Sequence, residues 1–331
     1  MVSMREVAAT AGVSVGTVSN VLNAPEKVAP ATVARVHTAI EQLGFVRNDA
    51  ARQLKAGRSR CVGLVVLDIG NPFFSDIARA AEQRAAQHDL VVLLGSTDAD
   101  IDRERLYLET FDEQRVFGLM IAPSGGELDR LHALGNRDIP VVLIDRNGTG
   151  TPFSSVAVDN MGGGRMAVEH LCSTGRHRIA FVGGPHSLRQ VADRLAGARS
   201  AIHDFPGAVL ELIETPAPTV VAGRKAGERI VAGPTARPDA IFCANDLLAI
   251  GVLQALTLHG VRVPDDIALI GYDDIDFAES TTVPLSSVRQ PSHLIGTSAI
   301  DLLIAAADGG AATEHICFTP TLVPRASSAH P

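Results

Sequence analysis

"EVAATAGVSVGTVSNVLN", Glu6 to Asn23, reads as two short helices meeting at a glycine. Just upstream, Ser3 with Glu6 three residues on makes a capping box for an alanine-rich first helix. Gly12 ends that helix, Val13 is expected as a buried turn residue, and Ser14 caps "VGTVSNVLN". In that second segment Val15, Val18, Val21 and Leu22 recur at helical spacing. A third helix is expected from about Pro30 to Leu43, with Val33, Val36, Ile40 and Leu43 on one face and Gly44 as its stop. The order Ala8, Gly12, Val18 suits a helix-turn-helix. A small residue lets the helices cross closely, glycine permits the tight turn, and a β-branched residue fills the joint. The second helix of such a unit lies in the DNA major groove with its first turns against the bases. On it Val15, Gly16 and Asn20 face outward as base readers, Ser14, Thr17 and Ser19 suit phosphates, and Asn23 joins the DNA-facing set. The plainer reading is a generic helical hairpin; spacing, caps and charge agree against it.

The charge is unevenly placed. The chain of 331 residues carries a net −8, yet residues 1–60 hold eight Lys/Arg against four acids, leaving the rest strongly acidic. A basic head on an acidic body points to a polyanion partner for the head alone. With 46% hydrophobic and 20% charged residues, the bulk can bury a sizeable core. No apolar run reaches the ~18 residues that span a bilayer. The N-terminus has no apolar signal-peptide core, so the expected location is the cytoplasm. Cys61, Cys172, Cys243 and Cys317 are too widely spaced for a zinc pattern or a redox pair, and are expected as reduced, buried thiols.

Between head and body runs "NDAARQLKAGRSR", Asn48 to Arg60, with a single large apolar side chain, Leu54. Asn48 can cap a helix that Gly57 ends, about two turns long. An isolated helix needs roughly 12–15 residues, so this one requires a partner to form.

From Cys61 onward short apolar runs alternate with amphipathic stretches: "CVGLVVLD", "GLMIAPS", "PVVLIDR", "RIAFVGG", "AIFCAND" and "IALIGYDD" are among the former. That alternation predicts parallel sheets covered by helices, and its length predicts two α/β lobes. Ligands of open parallel sheets sit at the carboxyl ends of the strands. Asp68, Asp145-Arg146, Asp159-Asn160, Asn245-Asp246 and Asp273-Asp274 all follow predicted strands. Convergent Asp, Asn and Arg with little aromatic surface is chemistry for fixing hydroxyl groups, which favours a saccharide over a planar base. The plainer reading of each is a helix N-cap, and for Asn160 and Asp246 taken singly it is the preferred one.

The head sequence together with "VARVHTAIEQLGFVRNDAARQLKAGRS" resembles the lactose-repressor (LacI/GalR) family of transcriptional regulators, and the resemblance runs through nearly the whole chain. It implies a small all-α helix-turn-helix head (1–47), a hinge helix and linker (48–60) and a periplasmic-binding-protein-like α/β body (61–331). Within the body, lobe 1 is expected at about 61–159 and 290–318, and lobe 2 at about 160–289 and 319–331. The resemblance also implies that hinge helices of two subunits enter the minor groove at the centre of a palindrome, each wedging a leucine into a base step. Leu54 falls at that position, Ala51 and Lys55 lie beside it, and Arg47 and Asn48 precede it as further DNA contacts. In the body it places an effector on Asp145, Arg194, Asn245 and Asp273, with Phe73 and Phe74 as one wall. Asp68, Arg146, Asp159 and Gln190 complete the expected effector set. Leu188 stands where purine-binding members place a polar contact, which lowers the purine reading. Asn20 stands where many members carry Arg or His, so their operator half-site does not transfer. The chain ends without a leucine heptad for a tetramer, so a homodimer on a palindromic operator is expected.

Other chemistries fit poorly. "DADIDRERLYLE" has acids at calcium-loop spacing but Arg103 where the loop needs glycine. "DDIDFAE" has no histidine at ligand spacing nearby, and the first strand is not followed by GxGxxG. No Ser/His/Asp or Cys/His set has a supporting motif. The expectation is a non-catalytic regulator, a repressor in the simplest case, without cofactor or metal and governed by a sugar or sugar derivative. A soluble sugar receptor and a sugar-processing α/β enzyme are the rivals.

Overall fold

The computed structural model describes residues 2–45, 59–125, 128–135, 137–233, 237–309 and 312–328. Two compact units emerge, Met1–Ser59 and Arg60–Pro331. Arg47, Asn48, Ala51, Leu54 and Lys55 lie outside the described residues, and with them the proposed hinge helix.

In the first unit α1 spans Met4–Ala11, α2 Val15–Asn23 and α3 Pro30–Leu43. Ser3 and Glu6 form the reciprocal capping box: the Ser3 amide donates to Glu6 Oε2 at 2.8 Å and the Glu6 amide to Ser3 Oγ at 3.4 Å. Gly12 closes α1 with φ of 64°, the left-handed turn that glycine adopts without a Cβ penalty. Ser14 Oγ then accepts from the Thr17 amide at 3.0 Å to start α2. Val7, Val18 and Val36 are fully buried at the joint of the three helices, with Ala8, Ala11, Val21 and Ala39 around them. Val13 is only half-buried, a departure from expectation. Its backbone amide completes the α1 turn by donating to the Ala8 carbonyl, and the joint itself is filled by Val18.

The second unit holds two six-stranded sheets. Its strands are β1 Cys61–Val66, β2 Val91–Ser96, β3 Gly118–Ile121, β4 Val141–Ile144, β5 Ser154–Val158, β6 Arg178–Gly183, β7 Val209–Glu214, β8 Ala240–Cys243, β9 Ala268–Asp273, β10 Ser286–Arg289, β11 His315–Phe318 and β12 Thr321–Val323. The helices are α4 Pro72–Ala86, α5 Ile101–Glu113, α6 Asp129–Gly135, α7 Asn160–Ser173, α8 Arg189–Ile202, α9 Val220–Ala232, α10 Asp246–Leu258, α11 Asp276–Glu279 and α12 Ser292–Ala307. Lobe 1 is ordered β11-β5-β4-β3-β1-β2, all parallel; lobe 2 is ordered β12-β10-β9-β8-β6-β7, parallel except for β12. Central strands such as "GLMI" and "AIFC" are buried on both faces, which is why they read as unbroken apolar runs. The edge strands β2 and β7 are half exposed.

The chain passes between lobes three times, at β5 to α7, β10 to α12 and β11 to β12. Two crossings are bonded to each other: the Asp159 amide donates to the Phe318 carbonyl at 2.9 Å. A second tie is Asp274, whose buried carboxylate takes Arg289 of β10 at 2.7 Å and Arg325, just past β12, at 2.6 Å. Of the four free cysteines, Cys172 and Cys243 are buried, Cys61 is half-buried and Cys317 is exposed, against the expectation that all are buried. Cys317 lies on β11, at the edge of its sheet.

Candidate functional site

Within the head, Val15, Gly16 and Asn20 of α2 are exposed, and Val15 keeps 42% of its surface. Ser14 and Asn23 are also exposed, while Thr17 and Ser19 are half-buried. An exposed valine at the mouth of a capped helix suits apolar contact with a thymine methyl better than solvent. Asn23 is turned back, its Nδ2 donating to the Ser19 carbonyl at 2.7 Å.

Between the lobes lies a cavity of about 300 Å³. The strand ends bring Asp68, Asp145 and Asp273 to it, α4 brings Phe73 and Phe74, α8 brings Gln190 and Arg194, and Asn245 comes from the mouth of α10. The two phenylalanines meet edge to face, ring centres 5.1 Å apart. Arg194 is the hub. Its Nε donates to Asn160 Oδ1 at 2.8 Å, its Nη1 donates to the Ala244 carbonyl at 2.6 Å and stands 3.7 Å from Asp273, and its guanidinium lies 3.7 Å over the Tyr272 ring. Such a fork satisfies a buried cation in several directions at once.

Two amide groups bridge the lobes. Asn71 Nδ2 donates to Asp273 Oδ2 at 3.0 Å, and Gln190 Nε2 donates to Asp145 Oδ2 at 3.0 Å. Asp273 Oδ1 also accepts from Gln290, on the β10 crossing, at 2.8 Å. Among the described residues nothing bonds to the buried Asp145 Oδ1, which leaves it able to accept from a ligand hydroxyl. Asp145 and Asp273 both adopt positive φ, 54° and 107°. A non-glycine residue held there costs about 1–3 kcal/mol, and such strain clusters at binding sites.

One guanidinium serves two buried acids, and this sets their protonation. Burial pushes Asp145 up to about 7; Arg194 pulls against it, Asp273 adds to it and Gln190 opposes it. Burial also raises Asp273, with Arg194, Asn71 and Gln290 opposing. For Asp145 the sign follows directly. Its folded value lies above the unfolded one, so between about pH 4 and 7 the folded body holds a proton that the unfolded chain has released. Its contribution to stability is therefore present at low pH and is lost as pH rises through that window. Asp145→Asn should gain stability relative to the parent on going from pH 5 to pH 8, measured as urea midpoints; a difference flat with pH would put Asp145 in the ordinary carboxylate range.

Two expected effector residues lie elsewhere. Asp159 is exposed and caps α7, its Oδ1 accepting from the Gly162 amide at 2.8 Å. Arg146 does not line the main cavity and donates to the Gly125 carbonyl at 2.7 Å. The caps also fall one residue earlier than expected. Asp159 and Asn245 cap α7 and α10, whereas Asn160 holds Arg194 and Asp246 is fully buried, taking Ser287 Oγ at 2.6 Å and the Ile275 amide at 2.9 Å. Asn71, Asp98 and Thr219 line the cavity without having been anticipated. Asn71 stands in "NPFF", where its cap on the Phe73 amide was the only signal available. The "DADIDRERLYLE" segment opens α5, with Asp100 accepting from the Asp102 and Arg103 amides. Among the described residues no set of three or more His, Cys, Asp or Glu is placed to hold a metal ion, and no helix is long and apolar enough to cross a membrane.

Comparison with known proteins joins the two units. Residues 3–48 match the model of bacterial regulatory proteins of the lacI family, and residues 168–328 match the periplasmic binding protein-like domain. The ribose operon repressor of Escherichia coli K12 is 33% identical over 99% of this chain and all of its own. The lac repressor dimer bound to operator and the anti-inducer ONPF superposes with a TM-score of 0.87 at 27% identity, covering 99% of each chain. A LacI family regulator from Enterococcus faecium, solved with bound ribose, gives 0.74 at 27% identity over 81% of this chain and 98% of its own. With a helix-turn-helix head and a two-lobed body aligned end to end with these regulators, the chain belongs to the lacI family of bacterial DNA-binding transcriptional regulators.

Proposed function

We propose that the protein represses transcription in the cytoplasm as a homodimer on a palindromic operator, without catalytic activity, and that a saccharide bound between the lobes sets its affinity for DNA. The observation that carries the effector reading is the cavity chemistry. Asp145, Asp273, Asn245 and Arg194 converge against Phe73 and Phe74, the donor and acceptor set that fixes a polyol over an apolar ring face. The ribose held by the Enterococcus faecium relative supports the same class. A second copy is supported by lobe 1's edge strand β2, where Val91, Leu93 and Leu94 are exposed, with Leu106 of α5 also open to solvent. An apolar sheet edge of this kind is normally covered.

Coupling runs through the crossings. Arg194 holds Asn160 at the start of α7, and Asp273 holds Gln290 beside α12, so a ligand that engages either group acts on a segment joining the lobes. Typical couplings of this sort amount to ~1–3 kcal/mol. The test is to select operator DNA with the full chain, then titrate saccharides against the complex. A sugar that shifts DNA affinity supports the reading and gives the sign of control. DNA binding indifferent to every sugar, with any turnover of one, would replace it with an enzyme. At the head, Asn20→Ala should lower discrimination between selected and single-base-altered sites by about 1–3 kcal/mol, the scale of one bidentate base contact. Fluorescence anisotropy on both duplexes measures it; equal losses on both would make Asn20 a phosphate contact.

A further inference from the structure

Beside the main cavity lies a second chamber of about 540 Å³, which shares Asp145 and Gln190 with it. The chemistry changes across that shared wall. The main cavity is lined by Asp68, Asp98, Asp145 and Asp273 around Arg194. The second is lined by Arg146, Arg189 and His186, with Asp145 and Asp193 as its acids. Asp193 is bound to Arg189 one helical turn away, accepting its Nε at 3.0 Å, and Asp145 is tied to Gln190. Among the described residues neither buried ring nitrogen of His186 has a hydrogen-bond partner, and Glu214 stands 4.0 Å from Nε2. Arg146 is half-buried and anchored on the Gly125 carbonyl. Burial first, and then the charge of Arg189, make its protonation less favourable, while Glu104 acts the other way. Arg146 of lobe 1 and Arg189 of lobe 2 thus line one chamber, the second of them largely exposed and held by Asp193. The helix behind them, α8, opens at Leu188 without a side-chain cap, and its Arg189, Ala192, Asp193 and Ala196 line the chamber along one flank.

Both guanidinium groups can donate to an anion, and His186 can add one ring N–H. We propose that the second chamber receives the anionic group of an effector whose polyol end occupies the main cavity, making the effector a sugar phosphate or a sugar acid. This rests on the reading of the cleft as a saccharide site. The position of Arg146 follows from it: the residue that the main cavity leaves out becomes the contact for the ligand's charged end.

Calorimetry on the full chain tests this with matched probes: ribose against ribose 5-phosphate, glucose against glucose 6-phosphate and gluconate, and inorganic phosphate alone. The expected result is that at least one charged member binds tenfold or more tightly than its neutral parent. That preference should weaken with salt and be erased in Arg146→Gln/Arg189→Gln, which should bind both members alike. Phosphate against gluconate distinguishes ester from acid. Arg189→Gln alone, on the exposed rim, should keep its fold and lose part of the preference. If neutral sugars bind as well as their charged partners, the anion chamber is overturned while the saccharide cleft stands. If no sugar binds but inorganic phosphate raises the melting temperature of the parent and not of the double variant, the chamber is supported and the saccharide reading fails. No response to any probe overturns both.

Discussion

Replacing Arg194 by alanine is expected to lower the stability of the body by about 3–5 kcal/mol at pH 8, the usual cost of stranding a buried charge. The side chain is 5% exposed, and its removal strips Asn160, the Ala244 carbonyl and Asp273 of a donor together. Asp273, already raised by burial and lowered chiefly by Arg194, would then hold its proton to still higher pH. The loss should accordingly be smaller at pH 5 than at pH 8, because an Asp273 that keeps its proton needs no counter-charge. Effector response should vanish in the same variant, because the hub of the cavity is gone. Arg194→Met/Asp273→Asn, which removes both charges, should recover part of the stability, and the double-mutant cycle measures how much. Urea midpoints at both pH values are the readout. A single variant within 1 kcal/mol of the parent at pH 8, as flagged by that scale, would mean that the acids around Arg194 are already neutral.

The second large effect concerns Gly197, one turn along the same helix. A Cβ there would stand 1.9 Å from the Met161 carbonyl of α7, and reciprocally a Cβ on Gly164 of α7 would stand 2.0 Å from the Arg194 carbonyl of α8. The helices touch backbone to backbone. Gly197→Ala should therefore destabilise by about 3 kcal/mol, at the upper end of overpacking, with the helices forced apart. Helix propensity alone argues the other way, for a gain of about 1 kcal/mol. The sign of the change in melting temperature decides between them. Arg194 rides on the displaced helix, so effector affinity should fall as well; a variant that melts higher would show the helix crossing to be looser than described.

These glycines mark where the sequence stopped being legible. "NMGGGRM" looks poor as the start of a helix, yet Gly162 clears Asp159, Gly163 clears the Tyr272 hydroxyl and Gly164 clears Arg194. Tyr272 and Arg194 are distant in sequence and on other elements, so no local pattern announces them; only the Asp159 cap is local. The head was legible because its determinants are local: Ser3, Gly12, Ser14 and Gly44 act on their own helices. So were the strand ends, since a parallel sheet delivers its carboxyl termini to one side. Which of two adjacent polar residues faces the cavity was harder. At Asn245-Asp246 the cap is the residue whose backbone is still extended, φ −151° and ψ 172°, and at Asp145-Arg146 the chain has left β4 with Asp145 in the left-handed region, φ 54°, where strand alternation no longer places side chains. Both choices depend on a backbone angle that residue type does not dictate.

The amides of Gln190 and Asn71 already occupy one oxygen each of Asp145 and Asp273. An arriving hydroxyl that takes such an oxygen replaces an existing bond in place of adding one, and a ligand lacking that hydroxyl leaves the amide where it was. A site whose polar groups go bare rejects the incomplete ligand by about 10⁴–10⁵. Here the protein refills the gap at those two oxygens itself, so ligands that differ only in the hydroxyl they present there should be ranked by gentle steps.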